Sequence, residues 1–180
     1  MQIPECAAFD IETKSIGDPY EIECATLAII DTNGEFYYFW GDDIYDGVAL
    51  LNKYSLITGF NSRAFDVPCL LKYCTRAEGR KLRYKPHFDL FHEWRKKYKT
   101  NMSLKNFAKN TLNLDKFENT NNGPVDMWEN GDMDTLMQYN RWDTLMTLGL
   151  YLFVVQNGYV LAKMGMGLRR FTPETITRIA

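Results

Sequence analysis

The sequence lacks an apolar run long enough to span a bilayer, and its start, MQIPECAAFD, has no basic segment followed by a long apolar one. Neither a transmembrane helix nor a secretory leader is expected, and an intracellular, cytoplasmic setting follows as an expectation. Cys6, Cys24, Cys69 and Cys74 form no CxxC pair and show no zinc-like spacing, so they are expected to be free, buried thiols in a reducing compartment. Histidine occurs twice, as His87 and His92 in HFDLFH. With no further clear ligand beside them, a packed strand or helix start is expected there rather than a metal site. Internal repeats and low-complexity linkers are also missing. With 180 residues, 46% of them hydrophobic and 24% charged, the composition is that of an ordinary globular chain. That length suits one domain, or one domain with a tail.

A net charge of −2 conceals strong segregation. Residues 1–75 carry 4 Lys/Arg against 12 Asp/Glu, residues 76–116 carry 12 against 4, and residues 117–180 carry 5 against 7. Tyr84, Phe88, Phe91, Trp94 and Tyr98 are interleaved with the central cations. Two readings fit this segment: a solvated helix face with snorkelling lysines, or a surface that follows a phosphate backbone and stacks bases.

The chain alternates strand and helix signals. IPECAAFDI reads as a short, mostly apolar first strand. EIECATLAIIDTNGEFYYFWG reads as a hairpin around Asn33-Gly34, a two-residue turn signal. Residues 43–54 have helical spacing, with Val48, Leu51 and Tyr54 as core contacts. LITGF at 56–60 reads as a strand. A helix is expected from about Ala64 to Cys74, with Pro68 tolerated in its first turn. Ser103 caps another helix, which places Leu104, Phe107, Ala108 and Leu112 on one stripe. Residues 115–125, with Gly123-Pro124, read as a loop. A long helix is expected from about Asp132 to Val155.

Four acidic residues stand out against this pattern. Asp10 and Glu12 in FDIET are two apart, so in a strand they share one face. Their apolar setting favours a central strand over two solvent-facing acids on an edge. Asp66 in GFNSRAFD follows a strand end, where it could serve the site or simply cap the next helix. Phe65 is expected in the core, and Arg63 is open to a phosphate or a surface role. Tyr139 and Asp143 in YNRWD are four apart on the last helix and share a face. Arg141 and Trp142 lie on neighbouring faces and suit packing or surface roles. Carboxylates gathered in one pocket repel each other, and burying them unpaired is costly. A fold collecting Asp10, Glu12, Asp66 and Asp143 would need divalent cations to neutralise them.

These motifs resemble the DEDD-superfamily 3′–5′ exonucleases of the tyrosine subtype. FDIET resembles the first motif, Asn61-x3-Phe65-Asp66 the second, and Tyr139-x3-Asp143 the third. Within that superfamily the chain is most similar to exonucleases related to the proofreading domain of family B DNA polymerases, including the His87-x-Asp89-Leu90 run and the SLKNFAKNTLNL helix. The resemblance implies an α/β, ribonuclease H-like fold with a central mixed β-sheet, its first three strands antiparallel, flanked by α-helices. It covers roughly residues 5–155, so a domain over 1–158 is expected, with 159–180 as a C-terminal tail of unknown role.

The resemblance further implies two divalent ions, Mg2+ or Mn2+, held by Asp10, Glu12, Asp66 and Asp143, with Tyr139 positioning the attacking water. Phe9, Ile11, Thr13, Asn61, Arg63 and Phe65 would contact or shape the pocket for the 3′ nucleotide. The implied activity is release of nucleoside 5′-monophosphates from 3′ ends of single-stranded nucleic acid, with DNA favoured over RNA. An exoribonuclease with the same site, a catalytically silent nucleic-acid-binding module and a ribonuclease H-like endonuclease are the alternatives. The chain leaves no room for a polymerase, so proofreading in cis is not expected.

Overall fold

The first apolar run becomes β1 (Cys6–Thr13), the central strand of a five-stranded sheet. In the computed structural model, residues 5–115, 117 and 123–175 are described. The other strands are β2 (Cys24–Asp31), β3 (Phe36–Trp40), β4 (Leu56–Gly59) and β5 (His87–Asp89). Their order is β3-β2-β1-β4-β5. Pairing is antiparallel for β1–β2 and β2–β3 and parallel for β1–β4 and β4–β5, which is the expected mixed sheet.

Alternation along β1 divides the core into two layers. Ala7, Phe9 and Ile11 join Leu27, Ile29 and Ile57 against α1 (Ile44–Leu51), α2 (Asp66–Leu70) and α3 (Arg76–Tyr84). Cys6 and Ala8 join Ile30, Leu56 and Phe88 on the opposite face. That face is covered by α4 (Leu90–Tyr98), α5 (Leu104–Leu112) and, after α6 (Pro124–Glu129), the long α7 (Met133–Asn157). Phe9 in one layer and Trp94, Phe107 and Tyr151 in the other are fully buried, each contributing roughly 1.5–3 kcal/mol. Every residue of β2 is buried, as expected of a strand covered on both faces.

Local chemistry sets the helix ends. Thr75 and Glu78 form a reciprocal capping box at α3. The Ser103 side chain accepts from the Asn106 N–H at 3.2 Å, and that of Asp132 from the Thr135 N–H at 3.3 Å. Gly158, at φ +75°, closes α7 in a left-handed conformation that glycine adopts without strain.

Several expected details differ. The β2–β3 reversal is not a two-residue Asn33-Gly34 turn. The Asp31 N–H donates to the Glu35 carbonyl, and the Asp31 carboxylate accepts from the N–H groups of Asn33 and Glu35, which widens the loop. The helix expected at 64–74 starts at Asp66 and ends at Leu70, continuing as a 3-10 turn over Leu71–Tyr73. Within the expected 115–125 loop, Lys116 and residues 118–122 lie outside the described residues. Pro124 instead opens α6, its fixed φ suiting the first helical position.

In the C-terminal segment 159–180, β6 (Val160–Met164) and β7 (Gly167–Phe171) pair as a hairpin. The Thr111 hydroxyl and the Asn106 amide bond its backbone, and the Phe171 ring packs edge-on against Trp94. Residues 176–180 lie outside the described residues. Among the described residues no helix is long and apolar enough to cross a membrane.

Candidate active site

Asp10 and Glu12 continue the side of β1 that faces α7, the side on which Cys6 and Ala8 are buried. α7 packs across β1 and β2 and brings Asn140 and Asp143 inward. Asn140 is fully buried; its amide N–H donates to Asp10 Oδ2 at 2.7 Å, and its Oδ1 accepts from the Thr26 hydroxyl at 3.2 Å. Tyr139 is half-buried one turn before Asp143, which is 9% exposed.

Asp66 is the first residue of α2, and Phe65 occupies the cap position, so Asp66 is not the helix cap. Its Oδ1 instead accepts the Ile11 N–H of β1 at 3.3 Å, which ties the loop after β4 to the acidic strand. That loop is held by Asp89 at the end of β5. The Asp89 carboxylate accepts N–H groups from Asn61, Arg63 and His92, each at 3.0 Å. Asn61 adopts φ +62°, a region asparagine enters more easily than most residues. Gly59 permits the loop to fold back, because a Cβ there would meet Ser62 Oγ at 2.1 Å.

The site is electrostatically strained. Burial first, then the charges of Glu12, Asp66 and Asp143, push the Asp10 carboxyl well above the ordinary carboxylate range, and the Asn140 amide opposes the shift. Burial and the nearby Asp89 charge lift Asp66 to about 8. His87 is pushed down to about 3 by burial and then by Arg63 and His92. Its Nε2 lies 2.8 Å from Ser62 Oγ, so it serves packing, as expected.

The donor set consists of carboxyl oxygens, and a divalent cation bound there would offset the repulsion that raises Asp10 and Asp66, which suits a hard cation. Among the described residues, no three His, Cys, Asp or Glu side chains are already drawn together as a metal-binding group. The fit is therefore one of donor type and charge, and a bound ion would have to draw the oxygens inward.

Residues 7–155 match the family model described as the RNase_H superfamily. The chain belongs to the RNase_H superfamily. Among solved structures, this superfamily member is similar to the family B DNA polymerase from the hyperthermophilic archaeon Pyrobaculum calidifontis, with a TM-score of 0.66 and 19% identity. The similarity covers 86% of this chain and 25% of the polymerase, so the chain spans about a quarter of that protein's length. Likeness at this identity concerns the fold. No curated protein matches the sequence.

In this RNase_H superfamily member the expected substrate residues divide. Phe9 has no exposed surface and Ile11 is 6% exposed, because strand alternation turns both into the layer opposite the acids. Neither side chain offers a ligand surface, and the Ile11 N–H is already taken by Asp66. The Thr13 hydroxyl donates to the Ser15 carbonyl at 2.8 Å. The Arg63 guanidinium donates to the His87 carbonyl, leaving the rest of an exposed side chain beside the loop. Asn61 and Phe65 are half-buried at the loop surface. Arg141 stacks on Phe36 at 4.7 Å and the Trp142 indole N–H donates to the Asp115 carbonyl, both packing roles as expected.

Sequence reasoning missed Asn140 and Thr26. The signal was an amide beside Tyr139 and three residues before Asp143, which places it on the inward face of the helix. It also missed α6, which packs beside β1 and sets Trp128 under the Lys14 ammonium at 5.3 Å.

Proposed function

We propose that the protein is a metal-dependent 3′–5′ exonuclease that hydrolyses phosphodiester bonds at the 3′ end of single-stranded nucleic acid and releases nucleoside 5′-monophosphates. The observation carrying this reading is the gathering of acids at one end of β1, where Asn140 of α7 holds Asp10, Glu12 shares its side of the strand, Asp66 accepts the Ile11 N–H and Asp143 is buried on α7. A fold gains no stability from such a cluster, so its value lies in what it attracts. The motif resemblance and a fold shared with a family B polymerase support the same reading.

Asp10, Glu12, Asp66 and Asp143 would hold two divalent ions, Mg2+ or Mn2+, which when bound supply charge neutralisation and Lewis acidity toward the scissile phosphate. Asn140 holds the Asp10 carboxylate in one orientation by donating to Oδ2. Tyr139 orients the attacking water with its phenol. Asn61, Arg63, Phe65 and Thr13 would steer the terminal nucleotide. DNA is favoured through the polymerase-like resemblance, and an exoribonuclease with the same site is the second reading.

Matched 5′-labelled DNA and RNA oligonucleotides with Mg2+, Mn2+ or EDTA, resolved by length, test both readings. A ladder shortening from the 3′ end in metal alone is expected on one or both sugars. A circular single strand should survive, and its cleavage would indicate an endonuclease. Trimming by an Asp10→Ala variant in Mg2+ would falsify the site assignment, and absence of any trimming would favour a silent binding module.

A further inference from the structure

A cleft of about 470 Å³ opens between the Asn61–Ala64 stretch of the Asp66 loop and α4. It is lined by Asn61, Ala64, Phe91, His92, Arg95, Lys96 and Lys99, with no acidic side chain among them. Phe91 is half-buried against the edge of Phe60 at 5.5 Å, and Arg95 reaches over the Phe91 ring at 5.9 Å. Lys96 pairs with Glu174 at 2.6 Å.

The position follows from the topology. β1, β4 and β5 are parallel, and the cleft lies at the carboxyl ends of β4 and β5, the same end of the sheet as Asp10 and Glu12. Strand spacing puts β5 roughly 10 Å from β1. Open α/β sheets take ligands at such strand ends.

We infer that this cleft binds a phosphate and a base of a single-stranded polynucleotide, in the stretch that leads to the acidic site. Arg95 and Lys99 meet the backbone and Phe91 presents a surface for a base. The direction of the strand rests on the exonuclease reading; occupancy of the cleft does not. The basic helix α3, with Arg80 and Arg83 exposed, lies on the other face of the sheet and is the competing path.

The test is fluorescence anisotropy of labelled single-stranded oligothymidylate and oligouridylate in EDTA, which keeps the strands intact whether or not the protein is a nuclease. Counterion release of about 0.7 per single-strand phosphate contact makes two lost contacts worth roughly 25-fold in affinity at 0.1 M salt. Arg95→Gln/Lys99→Gln should lose about that much, and its log–log salt slope should be shallower by about 1.4. Phe91→Leu should weaken binding without changing the slope. Arg80→Gln/Arg83→Gln should bind as the wild type does. Unchanged affinity in the Arg95/Lys99 variant, or an equal loss in the Arg80/Arg83 variant, overturns the assignment. Loss of binding in a protein that trims no strand in Mg2+ or Mn2+ would keep the cleft and remove the exonuclease reading.

Discussion

Both ends of the central sheet bury acidic side chains, and they treat them in opposite ways. At the end where β1 begins, Asp31 is 4% exposed and its carboxylate accepts from the Asn33 N–H at 2.8 Å, the Glu35 N–H at 3.0 Å and the Tyr54 hydroxyl at 3.2 Å. The buried Lys85 ammonium is also satisfied there, donating to the Asn52 and Tyr54 carbonyls. At the other end Asp10 has the Asn140 amide against three neighbouring acids, and Asp66 has the Ile11 N–H against Asp89. Asp89 sits at this same end yet accepts three N–H groups, which makes it scaffold. A buried carboxylate surrounded by donors holds a loop. Buried carboxylates that repel one another cost stability, which a bound cation would offset.

The largest expected effect breaks the acidic end. Asp10→Asn keeps the shape and removes a carboxyl that would ligate the ion and whose ionisation burial and its neighbours oppose, so hydrolysis of a labelled strand should fall to background. The melting temperature in EDTA should stay level or rise. Asp31→Ala should do the reverse. It leaves two backbone N–H groups and a hydroxyl without their acceptor, at roughly 2–4 kcal/mol in total. For a chain of this size that lowers the melting temperature by on the order of 5–15 °C, with activity of the surviving folded protein retained. If Asp10→Asn destabilised as much as Asp31→Ala, the two ends would not differ in kind.

A smaller effect should appear in the pH dependence of the metal-free protein. Asp66 is lifted from an ordinary 3.8 to about 8, and Asp10 is raised as well. A raised carboxyl holds its proton in the folded chain where the unfolded chain has released it, so stability falls as pH rises from about 4 to 8. Below that window both states are protonated and the loss is absent; above it the loss is complete. Denaturant midpoints in EDTA should decline across the window, Asp66→Asn should flatten the decline, and Mg2+ or Mn2+ at pH 8 should restore the midpoint. A midpoint rising with pH in EDTA would contradict the raised carboxyls.

The acidic strand and the Tyr139–Asp143 helix were legible because each motif lies within one element, where periods of two and 3.6 fix which residues share a face. The same period of two separates Phe9 and Ile11 from Asp10 and Glu12, so their burial followed from the pattern that placed the acids. Other features depend on contacts between distant segments. Asn140 meets Asp10 across 130 positions, and Asp66 meets Ile11 across 55. No local periodicity reports either contact. The hairpin over 160–171 escaped for a related reason: its strands are short, and their anchors, Thr111, Asn106 and Trp94, lie on other elements.

The finest test of the contrast concerns the side-chain amide that donates to Asp10. The Thr26 hydroxyl donates to Asn140 Oδ1, which fixes the amide so that its N–H faces Asp10. Asn140→Ala removes that donor and frees the Asp10 carboxylate to rotate. Lost outer partners of ligating carboxylates typically cost about 10–100-fold in metal affinity or activity, and that range is expected for the Mn2+ concentration giving half-maximal hydrolysis. Thr26→Val leaves the amide in place without its orienting partner, so its shift should be in the same direction and smaller. A structural role alone would lower the melting temperature and leave the Mn2+ midpoint where it was. If both variants behave that way, Asn140 belongs with Asp31 and Asp89 among the groups that hold the fold, and the acids at this end position themselves.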